Sequence, residues 1–162
     1  MSEGDVEWDF DDWPDVAPTE ILPGLWMGGL ADEEYLGCPL GDGHYSFDSP
    51  FDAVITLFGD AQPSPWGAVE LRFGFPDDDL EPTWARTCLS LAAFGHAHWS
   101  VGWRVLVRCQ QGVNRSGLVT ALILMLDGHE AQDAIALLRS LRGPAVLNNT
   151  SFEQWLLDGA VP

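Results

Sequence analysis

One run of the sequence constrains the fold more than any other: VLVRCQQGVNRSGLVTALILML, from Val105 to Leu126. A valine-rich apolar stretch ends at Cys109, a polar turn containing glycine follows, and a long apolar stretch begins after Arg115. Short β-branched apolar runs are typical of buried strands, and longer apolar runs are typical of buried helices. The run therefore predicts a buried strand, a tight turn and a buried central helix, with a cysteine at the carboxyl end of the strand.

The turn between Cys109 and Arg115 has the features of an oxyanion-binding loop. Five intervening residues are enough for consecutive backbone N–H groups to point inward as an anion nest. The positive end of the next helix and the planar guanidinium of Arg115 add to the attraction, and the same field favours the nucleophilic thiolate. Ser116 can donate a hydrogen bond to that sulfur and assist its later departure. We therefore predict a phosphoryl-transfer site whose loop residues bind the phosphoryl oxygens: Gln110, Gln111, Gly112, Val113 and Asn114.

A buried structural cysteine would explain Cys109 alone, since free cysteine is often buried. It would not explain why arginine, serine and glycine all fall at the spacings that an oxyanion cradle needs.

The remaining pattern predicts an α/β fold. Pro82 to Trp99 has a helical pattern with proline in its first turn, and an apolar stripe at helical spacing runs from Ala131 to Leu141. Strands and helices alternate late in the chain, which favours a single three-layer domain with a central, mostly parallel sheet and helices on both faces. Ligands of such sheets bind beyond the carboxyl ends of the strands, where Cys109 falls.

At these residues the chain resembles the cysteine-based protein tyrosine phosphatases, most closely the compact dual-specificity group. The signature of that group is a C-x5-R loop followed by serine or threonine, which Cys109, Arg115 and Ser116 match. Four other segments are similar to the group, so that the resemblance spans roughly residues 20 to 157: ILPGLWMGG, FDAVITLF, LRFGFPD and AQDAIALLRSLRG. The resemblance implies the phosphotyrosine phosphatase fold and a metal-independent, cofactor-free hydrolysis through a phosphocysteine intermediate.

The resemblance also implies a general acid on a mobile loop after the strand within LRFGFPD. The candidates are the adjacent carboxyl groups of Asp77, Asp78 and Asp79. The family's aromatic-Pro-Asp pattern ends at Asp77, which makes Asp77 the first choice and Asp78 the second. Three adjacent carboxylates repel one another, which favours a protonated acid. As an alternative, Asp79 and Glu81 serve to cap the next helix.

Four positions near the loop leave alternatives open. The family usually places a histidine before the cysteine, but this chain has Arg108, a cation that could compensate or could point outward. Asn149 matches an asparagine found in that part of the family and could brace the phosphate loop, and a plain turn is the other interpretation. Cys38 or Cys88 could form a protective disulfide with oxidised Cys109, or could be without consequence.

The charge distribution limits the classes of partner that the protein can bind. The net charge is −18, lysine is absent, and the seven arginines all lie between residues 72 and 142. Nucleic acids and anionic membranes are normally bound by clusters of Lys and Arg, so we expect neither as a partner. Arg104, Arg108 and Arg115 flank the loop and predict a positive focus that steers a phosphorylated group inward.

The organisation expected is an acidic, flexible tail at residues 1–18 and a phosphatase domain at residues 19–162. The chain begins with acidic residues, unlike a secretory signal, and its apolar stretches are too short to span a bilayer. Three cysteines without metal-ligand spacing are typical of a reducing compartment. We expect a cytoplasmic protein without a metal.

The sequence thus predicts a hydrolase of phosphomonoesters, with phosphotyrosine on proteins as the first substrate and phosphoserine or phosphothreonine as further ones. The segment GVNRSG is also similar to the loop of RNA 5′-phosphatases and triphosphatases, although the negative charge disfavours that function. A catalytically weak phospho-binding pseudophosphatase is the other alternative. Intact Cys109 and Arg115 disfavour it, and Arg108 keeps it open.

Overall fold

The computed structural model describes residues 17–30 and 49–161. Within them the chain forms, in order, β1 (Thr19–Leu22), β2 (Leu25–Gly28), β3 (Ala53–Thr56), β4 (Val69–Arg72), α1 (Pro82–Trp99), β5 (Val105–Arg108), α2 (Arg115–Leu126), α3 (Ala131–Arg142) and α4 (Thr150–Leu157). The strand, turn and helix predicted around Cys109 are confirmed. Nearly all of the predicted acidic tail lies outside the described residues.

The strands form one sheet in the order β1-β2-β5-β3-β4. β1 and β2 pair antiparallel, as a hairpin, whereas β2, β5, β3 and β4 run parallel. The pairing is in register, so that Gly28, Thr56 and Arg72 lie level with Arg108. The carboxyl ends of four neighbouring strands therefore meet at one edge of the sheet, which is where ligands of such sheets bind.

The side chains of β5 alternate between the two faces of the sheet. Val105, Val107 and Cys109 belong to the main hydrophobic core, to which all four helices contribute buried residues. Leu106 belongs instead to a smaller buried cluster on the opposite face, with Phe51 and Val54, against which Trp26 and Ala68 pack. The predicted α/β domain, with a mostly parallel sheet flanked by helices, is confirmed. Among the described residues all four helices contribute to the main core, and none buries side chains in the second cluster.

The helices mostly follow the sequence pattern. The predicted central helix is α2, which is buried continuously from Arg115 to Leu124 because its surface is apolar nearly all round. The apolar stripe on α3 is shorter than predicted: Leu141 is 46% exposed, and Arg142 is buried in its place. None of the described helices combines the length and the apolar character needed to cross a membrane.

Candidate active site

Cys109 lies directly after β5, and the end of β2 fixes the loop that follows it. The N–H of Cys109 donates to the carbonyl of Gly28 at 3.2 Å, and the N–H of Leu30 donates to the carbonyl of Gln110 at 2.9 Å. A Cβ atom on Gly29 would lie 2.8 Å from the carbonyl carbon of Gln111. Only glycine allows so close an approach of two backbones, and the phosphate loop, residues 109–115, is therefore held by a neighbouring strand.

A buried arginine on α3 supports the same loop from beneath. The Nε of Arg142 donates to the carbonyl of Gly112 at 2.7 Å, and its Nη1 donates to the Ala17 carbonyl and the Thr19 hydroxyl, both at 3.0 Å. Gly112 has a φ of +69°, a conformation that other residues adopt at a cost. The sequence analysis missed Arg142, because its position at the end of an apolar stripe gave no sign of a contact with the loop.

The phosphate loop presents hydrogen-bond donors that the protein leaves open. In the described part of the chain, the backbone N–H groups of residues 110–114 donate to no protein acceptor. The Nε of Arg115 is buried without a partner, although buried polar groups are nearly always paired. A compact anion with several oxygens would satisfy these donors, as predicted for an anion nest.

The predicted nucleophile, Cys109, and Ser116 face each other across the loop. Cys109 is only 2% exposed, and its thiol donates to the Ser116 hydroxyl oxygen over 3.2 Å. When the sulfur is a thiolate, the hydroxyl can donate in the opposite direction. The predicted contact of Ser116 with the sulfur is thus present, and its role in sulfur departure stays a prediction.

Three groups fix the guanidinium of Arg115, which is 8% exposed. Nη1 donates to the Phe75 carbonyl at 2.9 Å, and Nη2 reaches Gln110 Oε1 at 3.5 Å. The guanidinium carbon also lies 5.4 Å from the centre of the Phe58 ring, within cation–π range. Phe58 follows β3 at the same sheet edge, and that position was the only signal in the sequence for its role.

The predicted acid loop, residues 76–80, lies beside the phosphate loop, and its three aspartates are exposed. The Asn114 amide donates to one carboxylate oxygen of Asp77 at 2.9 Å, and the Asn149 amide donates to the other at 2.8 Å. A polar depression of about 340 Å³ is lined by Asp77, Asp78, Asp79, Asn114, Asn148, Asn149 and Thr150. The structure thus brings the candidate acids to the rim of the phosphate loop.

Asn149 combines both interpretations that the sequence allowed. Its side-chain oxygen caps α4 by accepting from the Phe152 N–H at 3.1 Å. Its own N–H donates to the side-chain oxygen of Asn114 at 2.9 Å, which links α4 to the phosphate loop. By contrast, the predicted capping of α1 by Glu81 is wrong, since the Glu81 side chain makes no cap hydrogen bond.

Arg108 is fully buried on the sheet face opposite to Cys109. Its guanidinium donates to the Thr56 hydroxyl at 3.0 Å, to the Glu70 carboxylate at 3.1 Å and to the Gln62 carbonyl. Burial raises the pKa of Glu70, but hydrogen bonds from Thr56, the Ser64 N–H and Arg108 outweigh it and leave the pKa below its usual range. Arg108 is therefore a buried ion-pair partner behind the loop and does not point outward.

The predicted positive focus of three arginines is wrong. Arg104 precedes β5, at the end of the strand away from the loop, and pairs with Asp52 at 3.2 Å. The Arg104 hydrogen bonds hold the pKa of Asp52 below its usual range. Because Arg108 is buried on the back face, Arg115 alone of the three lies at the phosphate loop.

The protective disulfide is not supported for Cys88. This residue is fully buried in α1, and burial raises the pKa of its thiol to about 12, which leaves it unreactive. Cys38 lies outside the described residues. Among the described residues no cluster of three His, Cys, Asp or Glu could hold a metal ion.

Solved structures share this fold. Human DUSP28 is 23% identical, with a TM-score of 0.71 over 90% of this chain and 95% of that chain. DUSP15 is 24% identical, with a TM-score of 0.71 over 88% and 86%. OH1 from the Orf virus, described as a tyrosine phosphatase with triple substrate specificity, is 22% identical, with a TM-score of 0.67 over 90% and 87%.

A search of the curated proteins with this sequence finds no match. Residues 90–160, which contain the phosphate loop, match the family model for the dual specificity phosphatase catalytic domain. The predicted resemblance is thereby confirmed: over residues 90–160 the chain is similar to the dual-specificity phosphatase catalytic domain, the compact group of the cysteine-based protein tyrosine phosphatases.

Proposed function

We propose that the protein hydrolyses phosphotyrosine on proteins, and phosphoserine or phosphothreonine more slowly, through a phosphocysteine intermediate. One observation carries the proposal: a buried cysteine begins a loop in which the backbone N–H groups of residues 110–114 and the Nε of Arg115 find no acceptor among the described residues. Such donors stabilise the charge that develops on a transferring phosphoryl group.

The chemistry follows from the groups present. The Cys109 sulfur attacks phosphorus while Arg115 and the loop N–H groups of residues 110–114 bind the other oxygens. A carboxylic acid of the acid loop protonates the leaving oxygen, and the resulting carboxylate later takes a proton from the attacking water. Ser116 donates to the sulfur as the S–P bond breaks. No step uses a metal or a cofactor, and the free thiol suits the reducing cytoplasm.

The surroundings of the loop favour an aromatic phosphomonoester. The Phe58 ring lies against the Arg115 guanidinium and can pack on a phenol ring. Asp77, Asp78 and Asp79 give the rim a negative charge, and Arg104 and Arg108 are engaged elsewhere. A polyanionic substrate such as triphosphorylated RNA would be repelled by this rim.

The test compares wild type with Cys109→Ser on a phosphotyrosine peptide, a phosphoserine peptide and 5′-triphosphorylated RNA, with and without a chelator. We expect turnover of the phosphotyrosine peptide that resists chelation, and its loss in the variant with phosphate binding retained. Acid quenching should trap labelled phosphoenzyme in wild type alone. Faster turnover of the RNA than of the phosphotyrosine peptide would contradict the proposed substrate class. Phosphate binding without turnover in wild type would make the protein a pseudophosphatase.

A further inference from the structure

We propose that Asp77 is a latch rather than the proton donor, and that Asp78 carries the proton. The proposal rests on the proposed function, whose general acid it identifies. The latch consists of the Asp77 carboxylate and the two side-chain amides that donate to it, Asn114 from the phosphate loop and Asn149 from the start of α4.

Both carboxylate oxygens of Asp77 are engaged. An amide NH2 group can only donate, so each oxygen of Asp77 serves as an acceptor. To carry a proton for the leaving group, Asp77 would have to give up one amide and turn that oxygen toward the substrate. Its contacts are those of a group that holds two elements together.

Asn114 shows what the latch connects. Its amide nitrogen also donates to the Asn148 side-chain oxygen at 3.1 Å, and its own oxygen accepts from the Asn149 N–H. One side chain of the phosphate loop therefore contacts both the acid loop and the approach to α4. With Asp77 bound to it, the acid loop is held against the phosphate loop.

Asp78 is positioned but keeps a free oxygen. Its backbone carbonyl accepts from the Asn149 amide at 3.1 Å, and one carboxylate oxygen accepts from the Asp79 N–H at 2.8 Å. Among the described residues the second oxygen has no partner, and the residue is exposed. A fixed carboxyl group with one free oxygen at the rim meets the geometric needs of a general acid.

The proton and electron balance is complete with Asp78. In the first step the Cys109 thiolate attacks phosphorus, the S–P bond forms and the P–O bond to the leaving group breaks, and the leaving oxygen takes the proton of the Asp78 carboxyl group. In the second step water attacks phosphorus and gives its proton to the Asp78 carboxylate. The S–P electron pair returns to Cys109, and inorganic phosphate leaves.

The experiment measures kcat against pH and against leaving-group acidity for Asp77→Asn and Asp78→Asn, with Asp79→Asn as the matched control. We expect Asp78→Asn to lower kcat roughly 10²–10⁴-fold for phenyl and alkyl phosphates, and much less for substrates with acidic leaving groups. The same variant should flatten the basic limb of the profile of kcat against pH. Asp77→Asn should lower kcat roughly 10- to 100-fold for every leaving group, which corresponds to the loss of one hydrogen bond to a charged group. The basic limb of its profile of kcat against pH should be unchanged.

A second variant tests the latch without replacing either aspartate. Asn149→Ser keeps a good cap for α4 but removes the amide that donates to the Asp77 carboxylate and to the Asp78 backbone carbonyl. We expect the same leaving-group-independent fall in kcat as in Asp77→Asn, and little further effect when the two changes are combined. Additive effects would contradict the latch.

The assignment of the proton donor is overturned if Asp77→Asn, or the control Asp79→Asn, shows the leaving-group dependence and Asp78→Asn does not. The proposed function fails separately, when no labelled phosphoenzyme is trapped from the wild type. Trapping uses a substrate with an acidic leaving group, which needs no proton, so the two results are independent.

Discussion

The phosphate loop and the acid loop lie side by side, yet they are held in opposite ways. The phosphate loop is buried except at Gln110 and Gln111, with Cys109 only 2% exposed. It is fixed by the end of β2, by Arg142 and by close backbone contacts at Gly29. The acid loop is exposed, and hydrogen bonds of Asp77 and Asp78 with two asparagines hold it to the rim.

The difference separates the two tasks of catalysis. Donors that stabilise a developing charge act best when they are already in place, and a buried, braced loop provides that. A proton donor must let substrate enter and product leave, and segments with few buried contacts open at low cost. The substitutions that follow test the phosphate loop and the residues around it, in order of decreasing expected effect.

The largest effect on stability is expected from the ion pair between Arg108 and Glu70, behind the phosphate loop. Replacing Glu70 by Gln leaves Arg108 buried without its carboxylate, and breaking a buried pair costs roughly 3–5 kcal/mol. We expect a loss at the lower end of this range, about 3 kcal/mol of the free energy of unfolding, because the Glu70 side chain is 13% exposed. Urea denaturation would measure it. The control Asp52→Asn breaks an exposed pair, and because water screens such a pair it should cost far less than Glu70→Gln. Equal losses would show that Arg108 does not brace the strand.

The same pair predicts a pH dependence of stability. The folded pKa of Glu70 lies below its usual value of 4.5, so its contribution is present above that value and is lost as the pH falls through the folded pKa. The free energy of unfolding should therefore fall below about pH 4.5, and Glu70→Gln should lack that part of the fall. Urea denaturation curves recorded between pH 3 and 6, at an ionic strength of about 0.1 M, would measure this pH dependence of stability.

Arg115→Lys should lower kcat about 10²–10³-fold, because a point charge cannot replace a planar donor that holds two oxygens. Stability should change far less than activity. Steady-state kinetics on an aryl phosphate, with thermal unfolding as the control, would measure both. Near-normal turnover would mean that the loop N–H groups alone bind the phosphoryl group.

Gly112→Ala tests how tightly the phosphate loop is packed. The residue has a φ of +69°, and a Cβ atom there would lie 2.7 Å from the carbonyl carbon of Gly28. The control Gly128→Ala also has a positive φ, +105°, but would meet no atom within 4 Å. Backbone strain should cost at least about 1 kcal/mol of unfolding free energy in both variants. Only Gly112→Ala should also lose phosphate affinity, measured by calorimetry.

The smallest effect is expected at Cys88. Mild peroxide should inactivate the enzyme reversibly through Cys109, with recovery on adding thiol. Because burial raises the pKa of Cys88 to about 12, its replacement by alanine should leave the rate of inactivation unchanged. A slower recovery in the variant would indicate that Cys88 takes part in the redox chemistry.

The sequence was most informative where the site is built from consecutive residues. The strand, turn and helix around Cys109 and Arg115 are local, so spacing alone predicted the contact of Cys109 with Ser116 and the open loop donors. It was less informative about charge. The arginines near the loop in sequence predicted a cluster, but Arg104 and Arg108 are separated from Arg115 by the length and the two faces of β5.

The sequence by itself thus determined the parallel sheet, the position of Cys109 at the carboxyl end of β5, and the phosphate loop, because backbone geometry and side-chain period act over a few residues. Only the tertiary structure decided that Asn114 and Asn149 both donate to Asp77, or that Arg108 has Glu70 as its partner. Those contacts join residues 35 or more positions apart. Such pairs depend on how loops from different strands meet at the sheet edge, which no local pattern specifies.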